Sequence, residues 1–267
     1  MAALRPLMQR LTPISHALSR TSCLQDNDSL KTTHAVQAFA MHATRIIAIR
    51  HGETTWNVDG RIQGHLDIPL NTERRLQGHI DIPLNDTGRW QTEQAGRALE
   101  GESIAAIYSS DLQRAHVTAQ AVAKVSGAPL YTHQGLRERC FGDFQGRTFK
   151  DVEASQPEDA QLWRTRNPAY APPGGGDSLI ALRDRIAGTV DEIARQHEGE
   201  QIVLVAHGGV LDVLYRLATR QDFQAPRTWE LANAAINRLL WTPEGLSLVG
   251  WADTAHLQQG SQDEAHS

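Results

Sequence analysis

The chain has 267 residues, 40% of them hydrophobic and 21% charged, which suits one large or two small globular domains with an ordinary core. Its formal net charge of −5 argues against a nucleic-acid or membrane-surface binder, which carries a basic excess; an anionic ligand would need arginines focused at one site. Cys23 and Cys140 lie far apart, excluding a disulfide framework or a cysteine-rich zinc site and favouring a reducing compartment.

In chain order, residues 1–25 carry Arg5, Arg10 and Arg20 with no acidic residue, a composition similar to an organellar transit peptide. Pro6 and Pro13 interrupt any amphipathic helix there, so a disordered extension, or a start at Met41, is preferred. Residues 1–43 are set apart from a domain predicted over 44–256 and a mobile tail over 257–267. A cytoplasmic location is expected, with an organelle as the alternative. No apolar run approaches the roughly 20 residues that span a bilayer, so no membrane partner is expected.

Residues 45–49 (RIIAI) read as a buried strand ending at Arg50-His51-Gly52. Residues 61–71 (RIQGHLDIPLN) recur as 75–85 (RLQGHIDIPLN), a tandem duplication with one copy expected to loop out or pack at the surface. A strand is predicted over 104–108, a helix over 111–125 ended by Gly127-Ala128-Pro129, and a further strand over 129–133. Leu179, Leu182, Ile186, Val190 and Ile193 have helical spacing, and 201–206 (QIVLVA) is the clearest buried strand. It runs into His207-Gly208-Gly209 and a helix through Leu217. Residues 236–241 and 246–251 flank a Pro-Glu-Gly turn as a β-hairpin. Strands alternating with helices predict an α/β fold, with a mostly parallel central sheet flanked by helices. Ligands bind at the carboxyl ends of such strands, where His51 and His207 both fall.

The chemistry follows from residue types at those ends. Phosphoryl transfer needs positive donors gathered around one nucleophile. His51 offers an imidazole nitrogen, Gly52 lets backbone approach an anion, Arg50 presents a planar fork of donors, and Asn57 can add an amide. Arg114 falls near a helix start after the second strand, Glu138 supplies a carboxyl group, and His207 is a second histidine.

These residues sit in longer motifs: RHGETTWN at 50–57, RIQGHLDIPL at 61–70, YSSDLQRAHVTA at 108–119, LRERCFGDFQG at 136–146 and VAHGG at 205–209. In them the chain resembles the histidine phosphatase superfamily, in its phosphoglycerate-mutase-like branch, over about residues 44 to 252. The resemblance implies that His51 becomes phosphorylated and that Arg50, Arg114 and His207 hold the phosphoryl oxygens. It implies Glu138 as proton donor and then acceptor, Asn57 as a further phosphate contact, and no metal or other cofactor. Gln63, Gly64 and Gly208 complete the expected substrate contacts, with Gln63 preferred over the second copy only for its distance from His51. The family carries one copy of the RxQGxxDxPL segment where this chain has two.

The stretch Glu138-Arg139-Cys140-Phe141-Gly142 departs from the Glu-Arg-His-Tyr-Gly of the mutases, and the following segment is short. Hydrolysis of a small-molecule phosphate ester is therefore the expected activity. Mutase activity is the alternative, and a silent phospho-ligand binder a third reading, should the duplication obstruct the pocket. Arg137 and Arg139 are read as solvated charges or as tuning Glu138. Arg164 and Arg166 are read as a solvated helix face in preference to a second anion site, and His65, His79, His116 and His133 as structural or surface residues. A homodimer is left open, as is the identity of the ester.

Overall fold

The computed structural model describes residues 42–57 and 75–258. The amino-terminal extension, the first repeat copy with Gln63, Gly64 and His65, and most of the predicted tail lie outside the described residues.

Strand β1 (Thr44–Arg50) is the centre of a sheet that also contains β2 (Ala106–Ser109), β3 (Leu130–Thr132), β4 (Gln201–Ala206), β5 (Ile236–Thr242) and β6 (Gly245–Asp253). The order is β3-β2-β4-β1-β5-β6. The pairs β1–β4, β2–β4 and β2–β3 are parallel, and β1–β5 and β5–β6 antiparallel, so the predicted parallel-rich sheet and terminal hairpin are both present.

Helix α1 (Asp86–Ala98) precedes β2, α2 (Gln113–Ser126) follows it, and α3 (Phe149–Ser155) and α4 (Pro157–Arg164) fill the loop region beyond β3. Helix α5 (Leu179–Arg195) leads to β4, and α6 (Gly208–Thr219) leaves it. Side chains alternate across a strand, and β1 divides its residues accordingly. Ile46 and Ala48 join Leu182, Ile186, Val190, Val210 and Leu214 in one core cluster. Ile47 and Ile49 join Ala115, Ala119 and Val122 in the other. Each fully buried Ile, Val or Leu contributes about 1.5–3 kcal/mol, which explains why β1 and β4 are apolar without alternation.

The starts of β2 and α2 differ from expectation. Strand β2 begins at Ala106, and α2 begins at Gln113 because Leu112 has extended backbone (φ −68°, ψ 133°) and acts as its N-cap. No described helix is long and apolar enough to cross a membrane.

Candidate active site

The register of β1 on β4 pairs Arg50 with Ala206, and His51 N–H continues it by donating to Ala206 O at 3.0 Å. His51 and His207 therefore leave adjacent parallel strands side by side. Neighbouring strands lie about 4.8 Å apart, and the two imidazole centroids stand 5.2 Å apart. Ser110 N–H donates to Val205 O at 3.0 Å, so the end of β2 reaches the same level and α2 begins there with Arg114 in its first turn.

His51 is 2% exposed, and its Nδ1 lies 2.7 Å from Gly52 O. A carbonyl only accepts, so Nδ1 carries the proton and Nε2 keeps its lone pair. Burial, then the Arg114 and Arg50 guanidinium groups, push the His51 pKa well below the usual histidine range. The same causes, with His51 and His79 added, push His207 down. His207 is fully buried, and neither ring nitrogen has a hydrogen-bond partner among the described residues.

Arg114 is 1% exposed; its Nη1 donates to Ile80 O at 2.9 Å and its Nη2 to Gly78 O at 2.8 Å. Arg50 Nη1 donates to Leu231 O. A Cβ on Gly208 would stand 3.6 Å from Arg50 Nε, so that guanidinium lies against the amino terminus of α6. Helix N-termini favour anions, and Gly208 offers its backbone there.

Glu138 reaches the same helix end. Gly209 N–H donates to its Oε1 at 3.0 Å and Oε2 at 3.1 Å, and Arg139 N–H donates to Oε1 at 2.8 Å. Its flanking arginines are braces: Arg137 grips Asp111 through Nε at 2.7 Å and Nη2 at 2.5 Å. Arg139 donates from Nε to Asp177 O at 2.8 Å and lies over the Trp163 ring at 4.9 Å, its pKa lowered to about 10 mainly by burial. Neither is merely a solvated charge.

The His51 loop is tied down by Asn233, which belongs to none of the motifs, and by Thr118 within the 108–119 motif. Asn233 Nδ2 donates to His51 O at 2.8 Å, and Gly52 N–H to Thr118 Oγ1 at 3.1 Å. Gly52 has to be glycine, since a Cβ would stand 2.5 Å from Gly88 O. Asn57 Oδ1 accepts from Thr54 N at 3.1 Å and Oγ1 at 3.0 Å, which orients its amide.

Arg50, His51, Asn57, Arg114, Glu138, His207 and Gly208 are thus brought to one end of the sheet. Gln63 and Gly64 are outside the described residues, and the described copy is the second. Its Gln77 is 8% exposed and donates to Thr54 Oγ1, while Gly78 and Ile80 hold Arg114. Arg166 departs from expectation. It lies beyond α4 with φ +52°, donates to Phe223 O at 2.7 Å and pairs with Asp212 at 3.0 Å, because an internal carboxylate and carbonyl outcompete solvent. Arg164 is on the helix surface as predicted, paired with Glu153.

Comparison with known proteins identifies the family. The pattern described as Histidine phosphatase superfamily (branch 1) matches residues 46–73 and again 71–254, the two matches meeting between the repeat copies. A phosphoglycerate mutase-like protein 4 of Arabidopsis thaliana is 36% identical over 217 residues, covering 80% of this chain and 87% of that protein. A metal-independent phosphoserine phosphatase of the same plant is 35% identical over 216 residues, covering 80% and 83%. The structure of a mycobacterial glucosyl-3-phosphoglycerate phosphatase superposes with a TM-score of 0.67 at 28% identity, over 79% of this chain and 100% of that one. Matched by the family pattern over most of its length and at 36% and 35% identity to these two relatives, the chain belongs to branch 1 of the histidine phosphatase superfamily.

Proposed function

We propose that the protein hydrolyses the phosphate monoester of a small metabolite through a phosphohistidine on His51. The observation that carries the reading is the His51 imidazole, its Nδ1 proton committed to Gly52 O and its Nε2 left to attack beside Arg114 and His207. In the first half-reaction Nε2 bonds to phosphorus and the ester P–O bond breaks. Arg50, Arg114, His207 and the Gly208 backbone N–H stabilise the charge on the three peripheral oxygens, and Asn57 adds an amide donor. The Glu138 carboxyl gives its proton to the departing alkoxide. In the second, Glu138 carboxylate takes a proton from water, the water oxygen bonds to phosphorus and the P–N bond breaks. Inorganic phosphate leaves, and both side chains return to their starting states.

The relatives named for phosphoserine and for glucosyl-3-phosphoglycerate support phosphorylated three-carbon acids as the first substrates to try. Rapid acid-free quenching with labelled phosphoserine is expected to trap about one phosphoryl group per chain as an acid-labile, base-stable adduct. His51→Ala abolishes both the adduct and phosphate release. Full phosphate release by His51→Ala would sink the mechanism. Isomerisation of 3-phosphoglycerate with 2,3-bisphosphoglycerate, in place of phosphate release, would move the chain to the mutases.

A further inference from the structure

Glu138 lies in irregular backbone between the single-turn helices Gln134–Leu136 and Gly142–Phe144, where no strand or helix ladder holds its carbonyl. Two side chains do so instead. Arg185 on α5 donates to Glu138 O at 3.2 Å and to Gly135 O and Arg137 O at 2.8 Å each, bracing the segment as a whole. The other is His79, whose Nε2 lies 2.9 Å from Glu138 O and must be the donor, because a carbonyl only accepts.

The placing of His79 is specific. It stands between Gly78 and Ile80, whose carbonyls accept the two Arg114 hydrogen bonds. Its own N–H donates to Gln145 Oε1 at 2.6 Å. Gly78 has φ +53°, and a Cβ there would stand 2.2 Å from that same Gln145 oxygen, so this close approach requires glycine. Three consecutive residues thus connect the Arg114 guanidinium to the backbone of Glu138. His79 is also near enough to depress the pKa of His207.

We infer that His79 is a positioning residue that sets the spacing between Arg114 and Glu138, and so governs protonation of the leaving group. The inference rests on the acid–base role proposed for Glu138. Its signature is dependence on leaving-group basicity. An alkoxide needs the proton that Glu138 delivers, whereas p-nitrophenolate departs without one. The ratio of kcat/KM for phosphoserine to that for p-nitrophenyl phosphate isolates this step, since kcat/KM excludes hydrolysis of the phosphoenzyme.

The experiment measures that ratio, together with inhibition by inorganic phosphate and the melting temperature, in the full chain and in Glu138→Gln, His79→Ala and His79→Gln. Glu138→Gln is expected to lower the ratio strongly. His79→Ala is expected to lower it about tenfold, a fraction of the 10²–10⁴ that a general acid contributes, with phosphate inhibition unchanged. His79→Gln keeps an N–H donor and recovers most of the loss. An equal fall on both substrates, or no fall, in His79→Ala while Glu138→Gln stays selective would overturn the role of His79 alone. No selectivity in Glu138→Gln would overturn the acid–base role and the inference with it.

Discussion

Gly209→Ala separates the chemistry from the fold. Gly209 is the second residue of α6, and a Cβ on it would stand 2.3 Å from Glu138 Oε1, where ordinary contact begins at 3.4 Å. The carboxylate must retreat by about 1.1 Å (3.4 − 2.3), which breaks its hydrogen bonds to Gly209 N–H at 3.0 and 3.1 Å. A misplacement of about 1 Å costs on the order of 100-fold in rate, or about 2.7 kcal/mol of transition-state stabilisation. Stability changes by a smaller amount. Alanine is better than glycine in a helix by about 0.5–1 kcal/mol, which offsets part of the about 1.5–3 kcal/mol of the lost charge-assisted bond. Steady-state release of phosphate from phosphoserine, beside a thermal melt, reads both quantities. Gly188→Ala in α5 is the control, since nothing lies within 4 Å of its added Cβ. It should gain about 1 kcal/mol of stability at unchanged rate. A Gly209→Ala enzyme within about threefold of the parent kcat/KM, against the 100-fold expected, would refute the placement of the acid at the α6 terminus.

The depressed pKa values of His51 and His207 make stability depend on pH in a defined sense. Their folded values lie below the ordinary value of about 6.5, so their contribution is full above it and is lost as pH falls toward the folded values, by at most about 1.4 kcal/mol per pH unit for each histidine. Urea midpoints that stay level through the acid range would contradict this. Deleting residues 61–74 removes the first copy and leaves every described contact of the second, so phosphate release should persist. In the full chain Gln77→Ala should lose about 1 kcal/mol with its bond to Thr54, as read by urea melts. Arg166→Ala breaks the pair with Asp212, which also binds Arg216 at 3.0 Å. It should cost about 1–2 kcal/mol after allowance for partial exposure while KM stays unchanged; a large rise in KM would reinstate Arg166 as a substrate contact.

Local pattern was enough for much of this protein. The apolar runs at β1 and β4 could form only strands buried on both faces, and the histidines that follow them had to emerge at the ligand end of a parallel sheet. Helical spacing made α5 legible, and the turn between β5 and β6 made the hairpin legible. Arg50, Arg114 and Gly208 were legible because a strand end or a helix start fixes where each can lie, whereas Glu138, in irregular backbone, was marked only by its motif.

What the chain could not disclose locally was which distant groups would meet. Two nearly identical segments cannot be ranked by distance along the chain, and it is the packing of Gly78 against Gln145 and the Gly78 and Ile80 carbonyls on Arg114 that fit the second copy to the site. Asn233 under His51, Arg185 and His79 on the Glu138 carbonyl, and Arg166 on Asp212 act through long-range hydrogen bonds. Such bonds leave no periodicity and no spacing in the sequence. They exist only because tertiary packing brings a donor to a carbonyl or carboxylate that irregular backbone or burial has left for side chains to satisfy.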